Sequence, residues 1–343
     1  MDHIRPVNLD RLPSRAAHAG FSIVELMIGI ALGLVILAAL TSFFVSASSN
    51  RTEIERTSRQ IENGRFAIDT MRGELRLAGF YAEMTQAGAT WTTPDPCAIP
   101  ADFGFAITPL AIPLPVYGYA ADAAAFPSCA TNRVAGSDVL VIHRFNTEPL
   151  TPAAAASGAN AAETYVQISR CATDSTTTPW AIAAGSSTAT FSLHKADCTT
   201  ASDVYRVRSE IYYLRDYSIV AGDGVPTLVK IDVSGGQLRT SPLVEGIRNL
   251  RFSYGIDTSG DGAPDAFKRC DTTAACTVAD WSNVTTVRAS VLAQNLESTV
   301  NYTDTKVYDL GDGFTVGPLN DARKRHVYGA MVSLPNRTGP REN

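Results

Sequence analysis

The chain has 343 residues, 45% of them apolar and 18% charged, with 29 basic against 34 acidic residues and a net charge of −5. That length accommodates one to three domains, and the composition is that of a globular protein. A nucleic-acid footprint is excluded, because there is no basic run and no aromatic–basic module.

The first twenty residues, MDHIRPVNLDRLPSRAAHAG, carry Arg5, Arg11 and Arg15 against Asp2 and Asp10. Arginines ahead of a first span favour a cytoplasmic N-terminus, which sends the rest of the chain outside. From Phe21 to Val45 run 25 residues in which Glu25 is the only charge. As a helix this stretch covers roughly 37 Å, enough for a hydrocarbon core of about 30 Å. A carboxylate in hydrocarbon is expensive and marks a functional site by default. Three readings are open: a secretory signal cut after the small residues Val45–Ala47, a plain single-pass anchor, or a signal cut before the apolar run, after Gly20. Only the third gives Glu25 a role. It frees an α-amino group on Phe21, and a cation meeting that carboxylate, within a chain or between neighbours, removes most of the penalty of burying either.

The motif G-FSIVE at residues 20–25, with the apolar helix behind it, resembles the type III signal of type IV prepilins and pseudopilins. The resemblance implies cleavage by a prepilin peptidase after Gly20, N-methylation of Phe21 and an assembly role for Glu25. The leader, residues 1–20, is longer than many in that family.

Beyond Val45 the composition turns amphipathic. Ile54, Ile61, Ile68 and Leu75 recur every seventh residue, and Thr57, Gly64, Met71 and Ala78 follow each by three. That is one stripe on a helix, with charges on the other faces. No proline interrupts the chain between Phe21 and Pro94, so a single helix from Phe21 to about Ala78 is expected, with Gly79 as its stop. The stripe suits packing onto a sheet of the same subunit. Its weak second positions argue against a coiled-coil dimer.

From about residue 81 the signals are β-type. Residues 137–145, 164–169, 204–216, 226–233, 246–256, 285–294 and 326–334 are short runs rich in β-branched and aromatic residues, separated by turn clusters such as AGDG and SGGQ. An antiparallel sheet packed on the helix stripe gives an α+β architecture. Ala/Thr-rich tracts at 151–162 and 172–190 read as surface loops or insertions. Six cysteines, Cys97, Cys129, Cys171, Cys198, Cys270 and Cys276, all follow the apolar run and none forms a CxxC pair. An even count outside the cytosol suggests disulfides, each stabilising by roughly 2–4 kcal/mol. Sequential pairing (97–129, 171–198, 270–276) is one of several connectivities, and six buried free thiols are the alternative.

Residues 243–265 and 322–337 resemble characteristic segments of PilW-family minor pilins, whereas 81–240 carries little resemblance. The resemblance implies a pilin-like fold: a long N-terminal helix, its apolar half protruding and membrane-spanning (21–45), its amphipathic half (46–80) packed on a β-rich extracytoplasmic domain (81–343) with disulfide-bearing loop insertions. It implies a low-abundance pilin that primes or caps type IV pilus assembly. The implied partners are the major pilin, other minor pilins, a PilY-type tip protein, the prepilin peptidase and the inner-membrane assembly platform. The chain would sit in the inner membrane, its C-terminal domain periplasmic, before joining a pilus at the cell surface that serves adhesion and twitching motility. A J-type pseudopilin of type II secretion is the nearest neighbour, and an anchored extracytoplasmic binding domain is the competing class.

Asp257, Ser259, Asp261 and Asp265 hold positions 1, 3, 5 and 9 of a calcium-type loop with Gly262 at position 6. Position 12 is Lys268 rather than a bidentate glutamate, so a polar β-turn is the other reading. No other cofactor is implied. There is no HExxH, GxxxxGK[ST] or GxSxG, and His143, His194 and His326 lie in different segments, so no enzyme is expected. Glycosylation triplets at Asn50, Asn283, Asn301 and Asn336 are chance matches in a Thr-rich chain.

Overall fold

The computed structural model describes Gly20 and residues 22–99, 102–175 and 178–339. The expected leader up to residue 19, and Phe21, lie outside the described residues. The chain divides into two compact units at Ile54/Glu55. Among the described residues, helix α1 (Ile23–Leu77) supplies the secondary structure of the first unit and opens the second. It ends where Gly79 takes a positive φ of 72°, its N–H donating to His143 O at 2.9 Å. A Cβ at Gly79 would also lie 2.9 Å from Pro115 Cβ, so backbone and space both call for glycine.

Among the described residues the second unit carries sixteen strands. In chain order they are β1 (Thr90–Thr92), β2 (Ala106–Ile107), β3 (Leu110–Pro113), β4 (Val116–Tyr119), β5 (Val139–Phe145), β6 (Thr164–Ile168), β7 (Trp180–Ala184) and β8 (Val204–Arg215). They continue with β9 (Thr227–Ser234), β10 (Gln237–Glu245), β11 (Ile247–Ile256), β12 (Ala266–Lys268), β13 (Val284–Gln294), β14 (Tyr308–Asp309), β15 (Thr315–Val316) and β16 (Arg325–Ser333). Four short helices intervene: α2 (Pro152–Ala155), α3 (Ala172–Ser175), α4 (Val278–Ser282) and α5 (Pro335–Thr338).

All seven strand runs expected from the sequence are strands, but they divide between two main sheets rather than forming one. The first has the order β10-β9-β8-β5-β4, antiparallel throughout, with the β6–β7 hairpin paired to the start of β8. The second has the order β12-β11-β13-β16, also antiparallel. Register follows burial: Leu140 opposes Tyr212 in the first sheet, and Ala289 opposes both Phe252 and Ala330 in the second. The tracts read as loops are less irregular than expected. Residues 151–162 contain α2 and a 3₁₀ turn, and 172–190 contains β7, whose Trp180 is fully buried. A buried indole outweighs the poor strand propensity of its alanine neighbours.

In this unit α1 buries Gln60, Gly64, Ala67, Ile68, Met71 and Leu75. The last four join one core cluster with Leu140, Ile142, Tyr212, Val287 and Val291 from both sheets. Burying Met71 or Leu75 contributes about 1.5–3 kcal/mol each. The expected stripe therefore holds in its second half. Ile61 remains 37% exposed and Ile54 68% exposed. A second cluster is aromatic: Tyr81 lies 5.2 Å from Phe145, and Phe105 lies 5.9 Å from Trp180.

Three disulfides are present, Cys97–Cys129, Cys171–Cys198 and Cys270–Cys276. The first closes the stretch that holds β2, β3 and β4, and the others tie loops at the ends of strands.

Candidate functional site

At the start of α1, Gly20 is exposed and has open space around it. Ser22 and Glu25 form a reciprocal cap. The Ser22 N–H donates to Glu25 Oε2 at 3.0 Å, and the Val24 N–H donates to Ser22 Oγ at 3.3 Å. The spacing is that of an S-x-x-E capping box, with the Ser22 hydroxyl taking the second-position rather than the third-position N–H, and it satisfies backbone donors that a helix leaves open at its N-terminus. The tetrapeptide SIVE carries that signature in plain view, so Glu25 has a local partner as well as the assembly role the resemblance implies. Its negative charge also sits at the positive end of the helix dipole. From here to Val45 the apolar side chains point outward: Ile23 is 77%, Leu34 61% and Phe43 73% exposed. Among the described residues α1 is the one helix long and apolar enough to cross a membrane.

The seam between the second half of α1 and the sheets is built from close approach and from buried polar groups. A Cβ on Gly64 would lie 2.3 Å from the Tyr328 ring, so this glycine lets the ring of β16 rest directly on the helix backbone. Buried Gln60 donates from Nε2 to Ala293 O at 2.9 Å and to Lys324 O at 3.2 Å, joining helix to sheet where an apolar stripe would have placed only carbon. On the first sheet, Arg144 Nη2 lies 2.6 Å from Glu74 of α1, and fully buried Glu210 meets Arg208 at 2.8 Å and Lys230 at 3.5 Å. Tyr212 Oη donates to Glu210 Oε2 at 2.8 Å. Burial works against the charge of Glu210, but Lys230, Arg144 and Arg208 together outweigh it and hold the carboxyl below its usual range.

The three histidines stay apart. His143 is buried in β5, stacked on Tyr117 at 5.7 Å, with Nδ1 2.9 Å from Leu114 O, so the proton belongs on Nδ1. Burial pushes its imidazole down to about 4. His194 Nδ1 meets Asp174 at 3.0 Å, and His326 lies against Tyr328 on β16.

In the 257–265 loop the three aspartates of the calcium-type reading are bonded to backbone N–H groups. Asp257 turns its carboxylate onto the N–H groups of Gly260 at 2.6 Å and Gly262 at 3.0 Å. Asp265 accepts from the Thr258 and Ser259 N–H groups at 2.7 and 2.9 Å, and Asp261 from the Ala263 N–H at 2.9 Å. Bonds to Thr258 and Ser259 hold the Asp265 carboxyl below its ordinary range. The Asp261 contact is an Asx turn, and Asp265 closes the loop from its far end. Among the described residues no group of three or more His, Cys, Asp or Glu side chains is placed to hold a metal.

Comparison with known proteins adds a family likeness. Residues 211–336 match the family model of PilW, the type IV pilus-assembly protein W. No curated protein matches the chain. Among solved structures a type IV-like pilin from Thermus thermophilus is similar at 17% identity and a TM-score of 0.23, over 38% of this chain and 66% of that one. The matched residues span the end of β8 and every later strand, so the likeness covers the whole second sheet and the α5 start. Over residues 211–336, then, the chain is similar to the PilW type IV pilus-assembly family, and ahead of that region it carries a long N-terminal helix packed on antiparallel sheets.

Proposed function

We propose that the chain is a minor pilin that primes or takes part in type IV pilus assembly. In this reading residues 1–20 are removed, Phe21 is the methylated new N-terminus, residues 21–45 lie in the inner membrane, and 46–80 lead into a periplasmic domain at 81–343. The work it does is structural rather than catalytic. The observation that carries the proposal is the pairing of an outward-facing apolar helix start bearing Glu25 with a PilW-type C-terminal region. Before assembly the Ser22–Glu25 cap keeps the carboxylate bonded, which lowers the cost of holding it at the membrane. On assembly the ammonium group of a neighbouring subunit replaces or joins that bond and sets the helix register. Apolar burial along the helices then supplies most of the driving force. The major pilin, other minor pilins and a PilY-type tip protein are the partners, and the peptidase and inner-membrane platform act on it before export into the fibre.

The test is complementation of a strain lacking this chain. The wild type restores pili. Glu25→Ala is cleaved and inserted normally but enters fibres poorly. Equal piliation with Glu25→Ala removes the role of the carboxylate. A strain that keeps its pili but loses protein secretion assigns the chain to the pseudopilins instead.

A further inference from the structure

We propose that a cleft beside the first disulfide binds an organic cation, an ammonium group carried on a small molecule or on a partner's side chain. The cleft has a volume of about 530 Å³ and is walled by Tyr117 and Tyr119 of β4, Phe126 and Trp281 of α4. Asp95 is the only charged residue in its lining, and no lysine, arginine or histidine lines it. Aromatic walls present the negative faces of their quadrupoles, and a single carboxylate adds one formal negative charge. An anion is repelled by this combination, and a neutral apolar ligand makes no use of the carboxylate. A cation satisfies both.

The walls are held in place. Tyr117 and Tyr119 stand two apart on one strand, so both project from the same face, with ring centroids 6.1 Å apart and planes at 62°. Tyr117 Oη donates to Pro94 O at 2.7 Å. Trp281 is fixed by an edge contact with Tyr254, centroids 4.6 Å apart at 78°. The Cys97–Cys129 disulfide ties the segment carrying Asp95 to the one carrying Phe126, and the Cys97 N–H donates to Asp95 Oδ1 at 3.0 Å. Burial, and then the nearby Asp95 charge, raises the Tyr119 phenol above its ordinary range. Phe126 already takes one cation: Arg133, outside the lining, places its guanidinium carbon 3.5 Å from the ring centroid. Such a site needs little reorganisation to bind.

Isothermal titration of the full chain in maltoside micelles, at constant ionic strength, tests the assignment with three probes: choline, N-acetyl-lysine amide and 3,3-dimethylbutan-1-ol, the neutral isostere of choline. Both cations are expected to bind with millimolar Kd, and the neutral isostere about tenfold or more weakly. Preference for choline points to a small-molecule source, and preference for the lysine amide to a partner's side chain. Asp95→Asn and Tyr119→Leu should each weaken cation binding by about tenfold with unchanged circular dichroism. If Asp95→Asn fails to fold, Tyr119→Leu and the neutral probe still decide. Equal binding of choline and its neutral isostere, unchanged affinity in a folded variant, or no saturable heat with either cation at tens of millimolar overturns the proposal.

Discussion

Replacing His143 by Asn should remove a specific part of the acid sensitivity of this fold. The imidazole is buried and neutral, with its Nδ1–H donating to Leu114 O. Burial takes it from an ordinary 6.5 down to about 4. Between those values the unfolded chain binds a proton that the folded chain refuses, so stability falls as pH drops from 6.5 toward 4. A gap of 2.5 pH units corresponds to about 3 kcal/mol in full, and roughly 2–3 kcal/mol is lost by pH 4.5. Asp138 acts in the opposite sense. Burial pushes its carboxyl up to about 6 despite Arg251 at 3.1 Å, so the folded state gains protons as pH falls and stability from this group rises. The two effects partly cancel in the wild-type profile, and the difference between wild type and His143→Asn isolates the imidazole. Urea unfolding of the detergent-solubilised chain, followed by near-ultraviolet circular dichroism at several pH values from 7.5 to 4.5, reads that difference. The variant pays its own cost at neutral pH through lost stacking on Tyr117, of order 1 kcal/mol. Parallel pH profiles for the two proteins would show that the ring is not held neutral and would refute the reasoning.

Gly64→Ala should destabilise the helix–sheet seam although alanine is the better helix former. The new Cβ meets the Tyr328 ring, costing about 1–3 kcal/mol, against a propensity gain of about 1 kcal/mol. The expected result is a lower melting temperature that Tyr328→Ala partly restores in the double variant, and a melting temperature equal to or above wild type contradicts the close approach. For the 257–265 loop, calcium at millimolar concentration should leave the melting temperature unchanged, because loop N–H groups already occupy the carboxylates. An upward shift would show that the loop binds calcium.

The elements most legible in the sequence are those where local chemistry and burial agree. Gly79 ends α1 because its backbone requires a positive φ, and the β-branched runs at 137–145, 204–216, 246–256 and 285–294 are strands because most of their side chains reach the core. β10 was not legible: QLRTSPLVE has no alternation and contains Pro242, which is tolerated because β10 is an edge strand with a register shift beside that proline. β7 is strand through one buried tryptophan in an alanine-rich tract. The heptad stripe identified a helix face but not how far the sheets cover it, so Ile54 and Ile61 are exposed while Gln60 is buried. The capping box of Ser22 and Glu25 is visible in four consecutive letters and was obscured by the more conspicuous charge. The aromatic cleft draws residues 95, 117, 119, 126 and 281 together from separate segments, and only the fold makes them neighbours.

The central claim is that Glu25 is tolerated in an apolar helix because processing places an amine to meet it. Mass spectrometry of the N-terminal peptide from the membrane form tests this most directly. The account predicts a chain beginning at Phe21 and carrying an N-methyl group. A chain retaining Met1, or one beginning after Ala47, would contradict it.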